Sequence, residues 1–312
     1  MHYLDFEENI RELDEKLAQP DISEAEQKRL KSKLKRLIEN TYHRLTPWQK
    51  TLVARHENRP HTSDYIRGLI TNFVPLAGDR LFGEDSAIIG GFGKFQNQTV
   101  MVIGTEKGQD TASRLKHNFG MARPEGYRKA IRLMKLAEQF GVPVLTFVDT
   151  AGAFPGVDAE AHGQGQAIAS AIEASLDLKV PLIATIIGEG GSGGALALAV
   201  GNKVFMLENA IYSVISPEGC ASILWKDFKF AKQATRALKL TAKDLLHLGI
   251  IDEIIPEPMG AAHRFPEETI KTVGQFIEKS LTELKTLDTD DLVLKRQEKF
   301  LAMGRPKQKT KR

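Results

Sequence analysis

The sequence is poor in cysteine, with one residue, Cys220, in 312. A single thiol builds neither an intramolecular disulfide framework nor a cysteine-based metal site, and it fits a reducing compartment. Net charge is equally sparse. The 43 lysines and arginines stand against 40 aspartates and glutamates, which leaves a formal charge of +3 and no general reason to expect nucleic acid as a partner. Long apolar runs are missing as well, since no stretch approaches the ~20 residues that a bilayer crossing needs. Met1 to Glu8 shows no basic start followed by an apolar stretch, so it does not read as a secretory signal. These absences point to a soluble, cytoplasmic protein. What is present suffices to fold. With 42% hydrophobic and 27% charged residues, a disordered or fibrous chain is excluded, and one large domain or two smaller ones are allowed.

The first sixty residues differ from the rest. Phe6, Ile10, Leu13 and Leu17 recur at helical spacing, and Gln19-Pro20-Asp21 breaks the pattern. Ser23 with Glu26 reads as a capping box that opens a second helix with an apolar stripe of Leu30, Leu34, Leu37 and Thr41. Such a hairpin cannot bury both stripes by itself. Packing on the chain's own body and service as an arm at a subunit interface both remain open. From Ile88 the pattern becomes strand and helix: strands at 87–91 and 100–104 around Gln96-Asn97-Gln98, a helix at 124–140 ending before Gly141, a strand at 143–148, a helix at 166–178 and a strand at 181–187. A short helix at 195–200 and strands at 203–207 and 210–215 complete the series. Apolar strands alternating with helices predict an α/β fold with a parallel sheet covered on both faces. Arg305 to Arg312 carries five basic residues and no acid, and reads as a solvated tail.

The segment Gly188-Glu189-Gly190-Gly191-Ser192-Gly193-Gly194 admits three readings. Gly188, Gly190 and Gly193 match a dinucleotide fingerprint, with Glu208 at the distance of a ribose-binding acid. Gly190, Ser192 and Gly194 match a nucleophile elbow, for which His247 or His263 would have to supply the base. The third reading uses the backbone. A glycine run between a strand and a helix lets first-turn amides point into a cavity and hold an oxyanion. Gly152-Ala153 occupies an equivalent place after the preceding strand, so two loops could serve one oxygen. Cys220, among small and apolar neighbours, reads as a packed thiol.

Longer strings are more specific. Arg55-His56-Glu57-Asn58-Arg59-Pro60, Ala77-Gly78-Asp79-Arg80, Asn118-Phe119-Gly120-Met121, Pro124 to Ala130, Gly188 to Ala195, Tyr212 to Gly219 and Ile255-Pro256-Glu257-Pro258 occur in this order. Through them the chain resembles, over nearly its whole length, the alpha subunits of bacterial acetyl-coenzyme A carboxylase carboxyltransferases. The resemblance implies a crotonase-like α/β superhelix of ββα units. It divides the chain into a helical N-terminal arm at a subunit interface (1–60), a carboxyltransferase domain (61–300) and a basic tail (301–312). It implies transfer of a carboxyl group from carboxybiotin, borne by a separate biotin carboxyl carrier protein, to acetyl-CoA, giving malonyl-CoA for fatty acid synthesis.

The partners implied are a homologous beta subunit in an α2β2 heterotetramer, the carrier protein, and biotin carboxylase in the full complex, with no membrane. The beta side would bind the coenzyme A thioester and hold zinc, with none on this chain, while the alpha side receives biotin. The biotin oxyanion hole falls on the amides of Gly193 and Gly194, faced by Gly152 and Ala153, with Gly190, Gly191 and Ser192 lining the biotin site. A Cβ at Gly194 is then expected to weaken transfer while the fold survives. Two strings depart from the family. Ala151 and Phe154 stand where proline and tyrosine are usual, and Ala161-His162 stands where Glu-Arg is usual, so no role of that arginine carries over.

Overall fold

A computed structural model describes residues 2–305. The basic segment beyond Arg305 lies outside the described residues. The chain opens with α1 (Glu8–Leu17), α2 (Glu24–Tyr42), α3 (Pro47–Ala54) and α4 (Thr62–Leu69). Ser23 caps α2 by accepting the Glu26 amide, as its position predicts. The hairpin lies on the chain's own body: Ile10, Tyr42, Val53 and Ala261 form a small core, with Phe6, Leu34, Leu37 and Ile38 packed around it.

Three strands then form an antiparallel meander, β1 (Ile70–Pro75), β2 (Ile88–Phe95) and β3 (Gln98–Thr105). The turn between β2 and β3 is tight because Gln96 and Asn97 both take positive φ (46° and 64°), the twist that suits a two-residue hairpin. After α5 (Thr111–Lys116) and α6 (Pro124–Gln139) come β4 (Val144–Thr150), α7 (Val157–Ala161), α8 (Gln164–Asp177), β5 (Leu182–Gly191), α9 (Ser192–Ala199), β6 (Lys203–Leu207) and β7 (Ile211–Ser213). The chain continues through α10 (Pro217–Trp225), α11 (Ala231–Leu238), α12 (Ala242–Leu248), β8 (Glu253–Ile255), α13 (Pro266–Leu284) and α14 (Thr289–Ala302).

The sheet runs β1-β2-β3-β4-β5-β6-β8, with β7 paired to β5. It is mixed, which corrects the expectation of a parallel sheet. Only β3, β4, β5, β6, β7 and β8 pair in parallel. The antiparallel part arises because β2 and β3 are joined by two residues, too short a link for a crossover. β4 and β5 are buried along their whole length, because helices cover both faces. A Cβ on Gly90 of β2 would meet Leu133 of α6, whereas one on Gly104 of β3 would meet Thr62 of α4. Gly90 pairs with Ile103, the neighbour of Gly104 on the opposite face.

Candidate active site

β5 does not stop at Ile187. It continues to Gly191, and α9 begins at Ser192, three residues before the position expected from the sequence. Gly188 and Gly190 therefore lie inside a strand, so the dinucleotide fingerprint forms no phosphate turn. What allows glycine-rich strand here is close backbone approach: a Cβ on Gly191 would lie 2.1 Å from Ala151 O.

The extension depends on a bulge. Val148 of β4 pairs with Ile186 and Thr150 pairs with Gly190, so Ile187, Gly188 and Glu189 together face Asp149. Before the bulge β5 pairs with β6, and from Glu189 onward with β7. A bulge of this kind bends a strand and re-aims the residues beyond it.

The chain then turns into α9 through Ser192, which takes φ +57°. The amides of Ser192, Gly193 and Gly194 belong to the first turn and have no acceptor within the helix. Against them lies the turn after β4. A Cβ on Gly194 would lie 2.5 Å from Ala153 N and 2.7 Å from both Gly152 C and Tyr127 Oη. A Cβ on Gly152 would lie 3.8 Å from Ser192 Cβ, and Gly152 itself has φ +145°, held where its N–H donates to Thr150 Oγ1 at 3.1 Å. Tyr127 is fully buried beneath this junction, and its hydroxyl has no protein partner among the described residues. The structure thus brings Gly152, Ala153, Gly190, Gly191, Ser192, Gly193 and Gly194 together. Ala151 and Ser192 are exposed, Gly193 and Ala153 half-buried, and Gly194 is buried.

Beneath the two turns lies a charge network. Asp149 Oδ1 receives the Glu189 N–H at 2.9 Å and the Lys107 ammonium at 2.7 Å, and His61 Nδ1 donates to Oδ2 at 3.0 Å. Burial opposes ionisation of Asp149, but Lys107 and the His61 bond outweigh it and hold the carboxyl far below the usual carboxylate range. Arg55 joins Glu189 (2.6 Å) to Glu218 (2.7 Å) at the start of α10. A second pair, Arg59 with Glu257, is wholly buried, and Arg59 Nε also donates to Ile187 O at 2.7 Å, within the bulge. On the far side Arg128 links Asp79 (2.8 Å) to Glu125 (2.8 Å). His162 joins this group: its Nδ1 meets Glu125 Oε1 at 2.9 Å, and its ring centroid lies 3.9 Å from that of Phe82.

A profile of the acetyl co-enzyme A carboxylase carboxyltransferase-like family matches residues 3–304. The chain belongs to that family. It is 60% identical over 97% of its length to the acetyl-coenzyme A carboxylase carboxyl transferase subunit alpha of Gluconacetobacter diazotrophicus, covering 98% of that protein, and 58% identical over 98% to that of Paramagnetospirillum magneticum, covering 99%. Among solved structures it resembles transcarboxylase 12S (TM-score 0.61, 16% identity, 83% of this chain and 45% of that one). It also resembles the beta subunit of Pseudomonas aeruginosa geranyl-CoA carboxylase (TM-score 0.56, 16% identity, 75% and 44%). The fold is the crotonase-like one of this family of carboxyltransferases.

Family membership gives the quoted strings a physical reading. Those at 55–60, 212–219 and 255–258 supply Arg55, Arg59, Glu218 and Glu257, and those at 77–80 and 124–130 supply Asp79, Glu125 and Arg128. Lys107, His61 and the carboxylate of Asp149 were not singled out as site residues by the sequence. The available signal was an acid closing an apolar strand, Val144 to Asp149, followed by a second acid, Glu189, within glycines. Ser192 has the strained strand-to-helix turn of a nucleophile elbow, but among the described residues no imidazole bonds to it. His263 is spent on Tyr42 and His56, and His247 is exposed on α12. Cys220 is buried against Ala221 and Ala234.

Proposed function

We propose that this chain is the alpha half of a carboxyltransferase that moves a carboxyl group from carboxybiotin, borne by a biotin carboxyl carrier protein, to acetyl-CoA, forming malonyl-CoA for fatty acid synthesis. The observation that carries the reading is the meeting of the α9 first turn with the Gly152-Ala153 turn, in a chain 60% identical to one named alpha subunit. Biotin on its carrier supplies a labile carboxyl group bound to a ureido nitrogen. A ring of that kind suits a rim made of Ala151, Ala153, Ser192 and Gly193, where side chains are too small to block approach. In this reading the amides of Gly193 and Gly194 donate to the oxygen that becomes negative, with Gly152 and Ala153 opposite, and Gly190, Gly191 and Ser192 shape the approach. One such donor is worth ~2.7–4 kcal/mol in the transition state. No side-chain base is needed on this chain.

The same reading assigns the coenzyme A thioester and a zinc site to a homologous beta subunit, in an α2β2 complex that works with biotin carboxylase in the cytoplasm. Residues 1–60 serve as the helical arm and 61–300 as the transferase domain. Among the described residues no helix is long and apolar enough to cross a membrane.

The chain is to be assayed with and without a candidate beta subunit for malonyl-CoA-dependent carboxylation of a biotin derivative. Transfer is expected only in the mixture. Ser192→Gly, which suits the positive φ, is expected to retain it, whereas loss of a nucleophile costs several orders of magnitude. Full turnover by the chain alone, or labelling of Ser192 by a serine-directed phosphonate, would overturn the proposal.

A further inference from the structure

We propose that Asp149 is a positioning residue of the transfer reaction, its carboxylate filling the bulge of β5 and so setting the direction in which the first turn of α9 presents its amides. The inference rests on the functional reading above and extends it to a group that touches no substrate. The bulge places Ile187, Gly188 and Glu189 opposite this one residue. Its space is taken by the carboxylate itself, because a Cβ on Gly188 would lie 2.5 Å from Asp149 Oδ1. The strand's own Glu189 N–H, displaced from the ladder, is satisfied by that oxygen at 2.9 Å.

Three further residues converge on the same side chain or its backbone. Lys107, two residues beyond β3, reaches Oδ1, and His61 at the head of α4 reaches Oδ2. The Asp149 N–H donates to Thr105 Oγ1 at 2.6 Å. Directly after the bulge, Thr150 pairs with Gly190 and its hydroxyl oxygen accepts the Gly152 N–H. One carboxylate therefore governs the exit of β5 into Gly193 and Gly194 and stands one residue before the group that holds the opposing turn. A buried ion is strongly disfavoured unless paired. Rigid support of this kind matters most where donors must keep their direction during reaction, since about 1 Å of misplacement can cost ~10²-fold in rate.

The test uses the full chain with its beta subunit in the transfer assay. Asp149→Asn keeps the size and an acceptor but removes the charge, while Gly188→Ala keeps the charge and displaces the carboxylate from the bulge. Each is expected to lower kcat by about a hundredfold, with KM for malonyl-CoA and for the biotin derivative within about twofold, in complexes that elute and show circular dichroism like wild type. Because both act on one element, the double variant should be little worse than the poorer single one. An assembled Asp149→Asn enzyme with kcat within about threefold of wild type would overturn the proposal, as would losses confined to KM or proportional to unfolded protein. Failure of both variants to assemble would mark the bulge as purely structural and count equally against it. Transfer by the wild-type mixture separates the two readings: without it the functional assignment fails, and with it unaffected variants refute only the positioning role.

Discussion

Gly193 and Gly194 are neighbours in the chain but stand in different surroundings. A Cβ on Gly193 would meet only Ile168 Cγ2 at 3.3 Å, whereas one on Gly194 would enter the backbone of Gly152 and Ala153. The expectation that a Cβ at Gly194 weakens transfer and leaves the fold intact is therefore revised, since the backbone of the facing turn cannot yield as a side-chain end can. Gly194→Ala should destabilise the protein by about 1–3 kcal/mol, the usual cost of overpacking. Gly193→Ala should melt close to wild type, because its Cβ meets one side-chain end and no backbone, and should lower transfer by adding bulk beside the proposed donor amide. Thermal melts read beside the transfer assay check this pair. Equal melting temperatures for the two variants would contradict the packing described.

At the scale of elements, the N-terminal hairpin is tied down by polar groups as well as by its stripe. Tyr42 Oη and Arg264 Nη2 both donate to Glu7 Oε1 at 2.7 Å, and His263 lies 3.3 Å from Tyr42 Oη and stacks on His56 with 4.1 Å between ring centroids. Burial, reinforced by His56, Arg59 and Arg264, pushes the His263 imidazole down to about 2. Near neutral pH it is uncharged folded and unfolded, and contributes no pH dependence. Below the unfolded value of ~6.5 only the unfolded chain takes up the proton, so stability falls with pH, by at most ~1.4 kcal/mol per unit from this group. Melting temperature should accordingly drop between about pH 6.5 and 4.5. His263→Phe, which keeps the stacking surface, should flatten that slope in part, with His56, also lowered by burial, accounting for some of the remainder. An unchanged slope would remove His263 from the acid response.

At the scale of the whole molecule, apolar side chains lie exposed a few residues beyond segments that meet at the candidate site. Val157, just beyond the Gly152-Ala153 turn, is 87% exposed, and Val214, just beyond β7, is 77% exposed. The proposed assembly with a beta subunit predicts that these side chains become covered in the complex. Light scattering should show the mass rising to that of a heterotetramer when beta subunit is added. A mass that stayed constant would sink the assembly, and with it the requirement for two chains.

Local order was legible because it is written in neighbouring residues: the helical stripe Phe6-Ile10-Leu13-Leu17, the serine cap at Ser23, the hairpin turn at Gln96-Asn97, and the apolar strands at 143–148 and 181–187. The family was legible too, since its strings are contiguous. The convergence of Gly152-Ala153 with Gly193-Gly194 could be anticipated from their equivalent places after parallel strands. The features that sequence alone left undecided depend on contacts between distant segments. Glycines at 188–191 signal a loop by local propensity, yet they continue β5 because Asp149, Ala151 and Tyr212 press against them and leave no room for side chains. Likewise Lys107 and His61 belong to the site only because the ends of β3, β4 and β5 and the head of α4 come together on one buried carboxylate. A charge has no local pattern that names its partner, and only the folded chain, by excluding water, makes that pairing obligatory.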